Sequence, residues 1–196
     1  MTERATRPDP SLQLLGATIR EYRKQRRFAQ KMLAARTGIP HTYISEIELG
    51  QRNILVLMLL RLAHALDLPA AFLLARLDTH ASLAPPTPSA PLTSSEMRDM
   101  VVTPHVSPLL KPGDPDRFLR LLGITLHQYR QQRRLSQRAL AARTGLNKSY
   151  IGQIEQGQRN VSVLSLLRIA DALGLSVAHL LAPLDALQHP STPSTE

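Results

Sequence analysis

Residues 135–157 read LSQRALAARTGLNKSYIGQIEQG and combine helix start signals, helix stop signals and helical periodicity in one short stretch. Ser136 is a strong N-cap residue, so a helix is predicted over 137–144. Gly145 is typical of the position that follows a helix and ends this one. A second helix is predicted over 148–156, where apolar residues recur at helical spacing. Two short helices joined by a three- to four-residue turn form the helix-turn-helix arrangement.

The flanking sequence extends this motif to a unit of five helices. Leucines at intervals of three and four residues predict an amphipathic first helix over about 117–134. Ser162 is predicted to cap a fourth helix over 163–173, and Ser176 a fifth over about 177–184. No strand pattern is present, so the predicted fold class is all-α.

The unit occurs twice in the chain. Residues 12–78 align with 119–185 at a constant offset of 107, without a gap, and 40 of the 67 positions are identical. Solenoid repeats run to roughly 20–50 residues, so a unit of this length is a domain. The prediction is two tandem five-helix domains, with a Pro-rich linker at 79–118, an N-terminal tail at 1–11 and a C-terminal tail at 186–196.

Positive charge is concentrated in the two units. The chain carries a net charge of +9, of which the first unit contributes +5, the second +6 and the linker −1. A strong positive excess favours a polyanionic partner, and its place in the folded units argues against a basic membrane-binding tail. Aromatic residues make up only 4%, which argues against stacking platforms for single-stranded nucleic acid.

Composition also excludes several classes of protein and site. The chain has no cysteine, which excludes a disulfide scaffold, a thiolate zinc site and a cysteine nucleophile. No apolar run reaches the roughly 18 residues of a membrane span, and the first residues do not resemble a signal peptide. We therefore expect a cytoplasmic, nucleoid-associated protein without metal or cofactor. Scattered histidines, with no Gly-rich phosphate loop and no clustered carboxylates, argue against an enzyme.

The residues from Leu135 to Ser176 carry a family resemblance. The pattern comprises Leu135-Ser136-Gln137-Arg138-x-Leu140-Ala141, Thr144-Gly145-Leu146, Ile151-x-x-Ile154-Glu155-x-Gly157-x-Arg159, and Leu164 through Ala170-x-Ala172-Leu173-Gly174-Leu175-Ser176. It resembles the phage-repressor/Cro helix-turn-helix family (XRE type), and Ala29 to Leu74 of the first unit resembles it too. Residues 42–53 are most similar to the controller proteins of restriction–modification operons.

The resemblance implies that the third helix of each unit, 41–49 and 148–156, enters the major groove of duplex DNA. The side chains that face away from the core are candidate base readers: His41, Thr42, Ser45 and Glu46 in the first unit, and Lys148, Ser149 and Gln153 in the second. Lys148 suits guanine and Gln153 suits adenine. Glu46 repels phosphate unless it accepts a hydrogen bond from cytosine N4.

Two further sets of residues follow from the resemblance. The candidate phosphate contacts lie at helix starts and in the loop before the fourth helix: Gln30, Arg52, Asn53, Gln137, Arg159 and Asn160. Two pairs, Arg23 with Glu48 and Arg130 with Glu155, are expected to be partly buried ion pairs that join the first helix to the end of the third.

The two units differ at informative positions. Ala29 replaces the capping Ser136, at an expected cost of about 1 kcal/mol. Leu55 and Met58 replace serines, which makes the fourth helix of the first unit apolar on every side. Because a helix that is apolar all round is usually buried, Leu55 and Met58 are a candidate interface with the second unit, a second chain or the linker, although a purely local core role stays open.

The leading interpretation is a sequence-specific DNA-binding transcription regulator, a repressor or autoregulator, that pairs its units as an intramolecular pseudo-dimer or as a homodimer. The alternative is a protein-interaction or antitoxin-like regulator in which the first unit mediates dimerisation and only the second reads DNA. The sequence leaves open the operator, any small-molecule effector, and the choice between repression and activation.

Overall fold

The computed structural model describes residues 9–77 and 115–188 of the chain. Most of each predicted tail and of the predicted linker lies outside these residues, but the first and last helices extend into the predicted tails, at residues 10–11 and 186–188. Within the described ranges the secondary structure is helical, in agreement with the all-α prediction.

Each unit consists of five helices. The first contains α1 (Pro10–Gln25), α2 (Gln30–Thr37), α3 (His41–Glu48), α4 (Val56–Ala65) and α5 (Ala70–Leu74), with a 3₁₀ turn over Ala75–Leu77. The second contains α6 (Pro115–Gln132), α7 (Gln137–Thr144), α8 (Lys148–Glu155), α9 (Val163–Leu173) and α10 (Val177–Gln188).

The bounds of the inner helices agree with the sequence prediction. The predictions of 137–144 and 163–173 are confirmed for α7 and α9. The outer helices differ, because α6 begins at Pro115 rather than near 117 and α10 continues to Gln188 with Pro183 inside it. Proline is well tolerated in the first turn of a helix, where its missing N–H has no partner to lose, so Pro115 starts α6 instead of ending the linker.

The helices of the two units are capped differently. Ser136 accepts a hydrogen bond from the Ala139 amide at 3.1 Å, and Ser162 accepts one from the Ser165 amide at 3.3 Å. At the equivalent starts of α2 and α4, Ala29 and Leu55 make no side-chain cap hydrogen bond. The first unit therefore forms the same helices with fewer of the side-chain contacts that specify their ends.

This difference makes Ala29→Ser a stabilising substitution. The new hydroxyl would accept from the Met32 amide, as Ser136 does from Ala139, and we expect the free energy of unfolding to rise by about 1 kcal/mol. Urea denaturation measures the change. Ser136→Ala is the matched control and should lower the same quantity by a similar amount; equal signs for the two variants would contradict the assignment.

The two units share one hydrophobic core and pair through the loops that precede α4 and α9. The Val56 amide donates to the Val161 carbonyl at 2.9 Å, and the Val163 amide donates to the Ile54 carbonyl at 2.9 Å. An antiparallel bridge joins Leu55 to Ser162, which occupy the same position of the repeat. Helices α5 and α10, which are also equivalent, pack against each other. Because equivalent residues meet, the pairing has the pattern of a two-fold symmetric interface.

No single helix among residues 9–77 and 115–188 has the length and apolarity of a membrane span. Two pairs of consecutive helices reach that length and apolarity only when the two helices are taken together. The chain bends by 111° between α4 and α5 and by 116° between α9 and α10.

Candidate nucleic-acid interface

Helices α3 and α8 present one apolar face to the core and one polar face outward. Ile44 and Ile47 are buried on α3, as are Ile151 and Ile154 on α8, because these residues recur at three-residue spacing. Both helices are only eight residues long. Each of their two turns therefore contributes one buried isoleucine to the core.

The candidate base readers lie on the outward face. The four at the helix starts, His41, Thr42, Lys148 and Ser149, are exposed. The three in the second turn, Ser45, Glu46 and Gln153, are half-buried. Asn147 caps α8 by accepting from the Ser149 amide at 2.8 Å, whereas Pro40 makes no side-chain cap at the start of α3.

Arg52 is joined to Glu46 in the first unit. Its Nε donates to Glu46 Oε2 at 2.7 Å, and its guanidinium lies 5.3 Å from the centre of the Tyr43 ring. The hydrogen bond to Glu46 raises the pKa of the Arg52 guanidinium above its ordinary value. The ion pair compensates the negative charge of Glu46 on a surface where phosphate is expected to approach.

The second unit repeats this contact with a neutral partner. Arg159 Nε donates to Gln153 Oε1 at 2.9 Å. Gln153 stands where Glu46 stands in the first unit, and Arg159 where Arg52 stands. Both loop arginines, expected from sequence to contact phosphate, therefore also hold a candidate base reader.

The ion pair beneath the recognition helix is formed in the first unit. Arg23 Nε donates to Glu48 Oε1 at 2.5 Å and Arg23 Nη2 donates to Glu48 Oε2 at 2.9 Å. Arg23 Nη1 also donates to the Phe28 carbonyl at 2.6 Å. The hydrogen bond to Glu48 raises the pKa of Arg23, although burial acts in the opposite direction. One guanidinium thus links α1, the loop after it and the end of α3.

The second unit has the same arrangement with one more partner. Arg130 forms two hydrogen bonds to Glu155, at 2.5 Å and 2.9 Å, and His127 Nδ1 lies 3.1 Å from Glu155 Oε2. Burial raises the pKa of the Glu155 carboxyl, but hydrogen bonds from Arg130, Gln137 and His127 outweigh burial and the net pKa is lowered. Glu155 is therefore held as the carboxylate.

This lowered pKa predicts how stability depends on pH. A carboxyl whose pKa is lower in the folded state stabilises the fold above its unfolded pKa, near 4.5, and loses that contribution as pH falls through the folded pKa. Urea unfolding should thus show a gap in stability between the native chain and Glu155→Gln at pH 7 that narrows below about pH 4.5. A gap of constant size from pH 7 to pH 3 would contradict the assignment.

The glutamines at the starts of α2 and α7 contact the same buried carboxylates. Gln30 Nε2 donates to Glu48 Oε2 at 2.8 Å, and Gln137 Nε2 donates to Glu155 Oε2 at 2.9 Å. Each side chain connects the first helix of the motif to the end of its recognition helix. Their expected phosphate contact stays a prediction. In the structure the amide group of each glutamine donates to a carboxylate within the protein.

Asn53 and Asn160, whose expected phosphate contact stays a prediction, connect the two units. Asn53 Oδ1 accepts from the Leu164 amide of the second unit at 3.3 Å, and Asn160 Oδ1 accepts from the Leu57 amide of the first unit at 3.3 Å. Asn53 Nδ2 also donates to Ser162 Oγ at 3.2 Å. Each asparagine thus satisfies a free amide in the first turn of the other unit's fourth helix. Sequence spacing could not reveal a contact between residues more than a hundred positions apart.

The candidate interface residues of α4 lie at this junction. Leu55 bridges to Ser162 through its backbone, but its side chain remains exposed, at 42%. Met58 is half-buried and packs against the shared core.

Sequence reasoning missed two glycines on which the position of the recognition helices depends. A Cβ on Gly16 would overlap the Ile47 carbonyl oxygen, and one on Gly123 would lie 2.5 Å from the Ile154 and Glu155 carbonyl oxygens. The first helix of each unit therefore crosses the end of the recognition helix in backbone contact. The available signal was a glycine at the same interior position of two helices, where it costs about 1 kcal/mol relative to alanine.

The part of the chain that the structure describes contains no group of three or more His, Asp or Glu side chains placed to hold a metal ion.

Two family models match the chain, one in each unit. The model described as "Helix-turn-helix" matches residues 19–73, and the model described as "Helix-turn-helix domain" matches residues 121–184. Together they cover the motif helices and the fourth helix of both units.

Individual relatives match stretches of about the length of one unit. The chain is 35% identical over 66 residues to the uncharacterized HTH-type transcriptional regulator y4dJ of Sinorhizobium fredii, covering 34% of this chain and 86% of the relative. It is 41% identical over 61 residues to the control protein C.SmaI of Serratia marcescens, covering 31% and 73%. A solved structure, the restriction-modification controller protein C.AhdI from Aeromonas hydrophila, is 42% identical, with 32% of this chain and 94% of that chain covered and a TM-score of 0.31.

Proposed function

The chain belongs to the XRE-type helix-turn-helix family of DNA-binding transcription regulators, and from this premise we propose that it is a repressor or autoregulator that reads a specific duplex sequence. Helices α3 and α8 enter the major groove in this proposal, one at each of two half-sites. The paired units act as an intramolecular pseudo-dimer, so that one chain binds one operator.

The observation that carries the proposal is the pairing of equivalent loops. The bridge between Leu55 and Ser162 and the reciprocal hydrogen bonds around it relate the units by an approximate two-fold rotation. Helix-turn-helix dimers bind half-sites about 34–36 Å apart by the same kind of symmetry. This internal relation supports the proposal that a single chain binds DNA as such a dimer does.

Charge and exposure support the assignment of the binding surface. Each unit carries a positive excess, +5 and +6, as binding to a phosphate backbone requires. The side chains at the starts of α3 and α8 are exposed, where base edges are reached in this motif.

The first test is duplex binding as a function of salt. Binding of the intact chain to a random duplex should weaken steeply as salt increases, because lysine and arginine contacts release condensed counterions. An operator obtained by selection from genomic DNA should bind more tightly than the random duplex at every salt concentration. No measurable duplex binding at low salt would overturn the proposal.

The second test separates the two recognition helices. Genomic footprint selection is repeated with His41→Ala/Thr42→Ala and with Lys148→Ala/Gln153→Ala. Arg168→Ala, an exposed cation on α9 outside the candidate surface, controls for loss of one charge. We expect both recognition-helix variants, and not the control, to lose the operator.

A reporter gene placed downstream of the selected operator tests the regulatory sign. Expression should fall when the intact chain is present, because a protein bound over a promoter blocks its use. A rise in expression would overturn the repressor assignment and leave DNA reading in place.

Two observations favour the alternative, in which the first unit mediates dimerisation and only the second unit reads DNA. The caps of the first unit are weaker, and the Glu46 carboxylate on its recognition helix is neutralised by Arg52 rather than replaced by a donor. If only Lys148→Ala/Gln153→Ala loses the operator, the first unit serves association and the second alone reads DNA.

A further inference from the structure

We propose that the operator is asymmetric at one pair of equivalent positions, with cytosine facing Glu46 and adenine facing Gln153, and that Arg52 and Arg159 are positioning residues which orient these two readers. The inference rests on the proposed function and adds to it the base preference of each half-site.

The two units hold their readers by the same contact. A loop arginine six residues after the reader donates through Nε to one terminal oxygen, over 2.7 Å in the first unit and 2.9 Å in the second. The reader side chains are Glu46 and Gln153, which occupy the same position of the repeat. Each reader is thereby fixed by one oxygen, and its other polar atoms remain for a ligand.

The remaining atoms of Glu46 can only accept hydrogen bonds. Arg52 holds Oε2, and an ionised carboxylate has no donor to offer. In the major groove the amino group of cytosine is the donor that a carboxylate reads. Because the Arg52 guanidinium compensates the charge, this carboxylate can approach the DNA backbone with less repulsion than an isolated one.

The remaining atoms of Gln153 both donate and accept. Arg159 uses one lone pair of Oε1, which leaves a second lone pair and both protons of Nε2. This combination matches the N6 donor and N7 acceptor of adenine. The same arginine contact therefore leaves an acceptor on Glu46 in the first unit and a donor–acceptor pair on Gln153 in the second.

The pairing of the units turns this chemical difference into operator asymmetry. Leu55 and Ser162 are equivalent residues and bridge to each other, so Glu46 and Gln153 are related by the same approximate two-fold rotation. A homodimer places identical readers at such positions and selects a palindrome. This chain places a carboxylate and an amide there, and its preferred half-sites differ.

The experiment is selection from a randomised duplex library with the full chain. The native protein should select cytosine in one half-site and adenine at the equivalent position of the other. Glu46→Gln should select adenine at both positions, and the reciprocal Gln153→Glu should select cytosine at both. A single wrong base should lower the affinity on the order of tenfold to a hundredfold.

The positioning role has a separate readout. Arg52→Gln should reduce discrimination at the cytosine position by about tenfold, because the Glu46 carboxylate is no longer held. Loss of a phosphate contact alone would weaken binding uniformly across all sequences and leave discrimination unchanged. The melting temperature should change little, since both side chains are partly exposed, at 51% and 36%.

The outcomes are distinct. A palindromic selected site, or an unchanged selection with Glu46→Gln, would overturn the asymmetric reading while duplex binding stands. Uniform weakening with Arg52→Gln would overturn the positioning role. Absence of any retained duplex with the native chain at low salt would defeat the proposed function itself, and this inference with it.

Discussion

Glu155→Ala is expected to lower the free energy of unfolding by about 3–5 kcal/mol. The carboxylate is 4% exposed and accepts hydrogen bonds from Arg130 and Gln137. Its removal leaves the Arg130 guanidinium, itself 9% exposed, buried without its counter-charge. Thermal and urea unfolding measure the loss, and DNA affinity should fall as a consequence because the end of α8 is no longer anchored.

Glu46→Ala is the matched control for this prediction. Glu46 also pairs with an arginine, but its side chain is 36% exposed and that of Arg52 is 51% exposed. Ion pairs between exposed side chains contribute little to stability, so the control should unfold almost as the native chain does. An unchanged melting temperature for Glu155→Ala would show that the buried pair does not support the fold.

Gly123→Ala is expected to lower the free energy of unfolding by about 1–3 kcal/mol, although alanine is the better helix former. The intrinsic gain of about 1 kcal/mol is outweighed because the new Cβ would lie 2.5 Å from two carbonyl oxygens of α8. Backbone cannot rotate away as a side chain can, so α6 must move from the end of the recognition helix. Urea denaturation gives the stability, and duplex affinity reports the displacement.

Gly152→Ala provides a control of opposite sign. Gly152 is also inside a helix, but its new Cβ would meet only the end of the Gln137 side chain, at 3.6 Å. This is ordinary van der Waals contact, so the helix propensity of alanine should raise the free energy of unfolding by up to about 1 kcal/mol. Two variants with the same sign would contradict the close packing assigned to Gly123.

Local sequence signals predicted the helices because they act within a few residues. The side chains of Ser136 and Ser162 accept hydrogen bonds from backbone amides at the starts of α7 and α9, and a glycine follows the end of each helix. The predicted bounds of both helices are confirmed. The predictions of the outer ends of α6 and α10 were less accurate, because proline is common both in linkers and at helix starts. Pro115 is the first residue of α6, where the sequence placed it in the linker.

The candidate site was predictable where residue type and helical phase suffice. The outward positions of α3 and α8 follow from the burial of their isoleucines, and the phase of a short helix is fixed by its apolar face. Contacts between side chains were harder to predict from the sequence. Arg52 and Arg159 were expected to face phosphate, and their hydrogen bonds to Glu46 and Gln153 depend on the path of the loop that carries them.

The sequence by itself determined that the chain is a duplication of one basic five-helix unit with a helix-turn-helix motif, because the repeat can be read directly from the residues and because capping and periodicity act within a few positions. Only the tertiary structure decided how the units meet. Asn53 and Asn160 cap each other's fourth helix, and Leu55 bridges to Ser162, across more than a hundred residues. Such a contact depends on the burial of apolar surface between the two units and on the amide groups left free at the starts of their helices. The buried surface and the free amide groups both exist only after the units have folded.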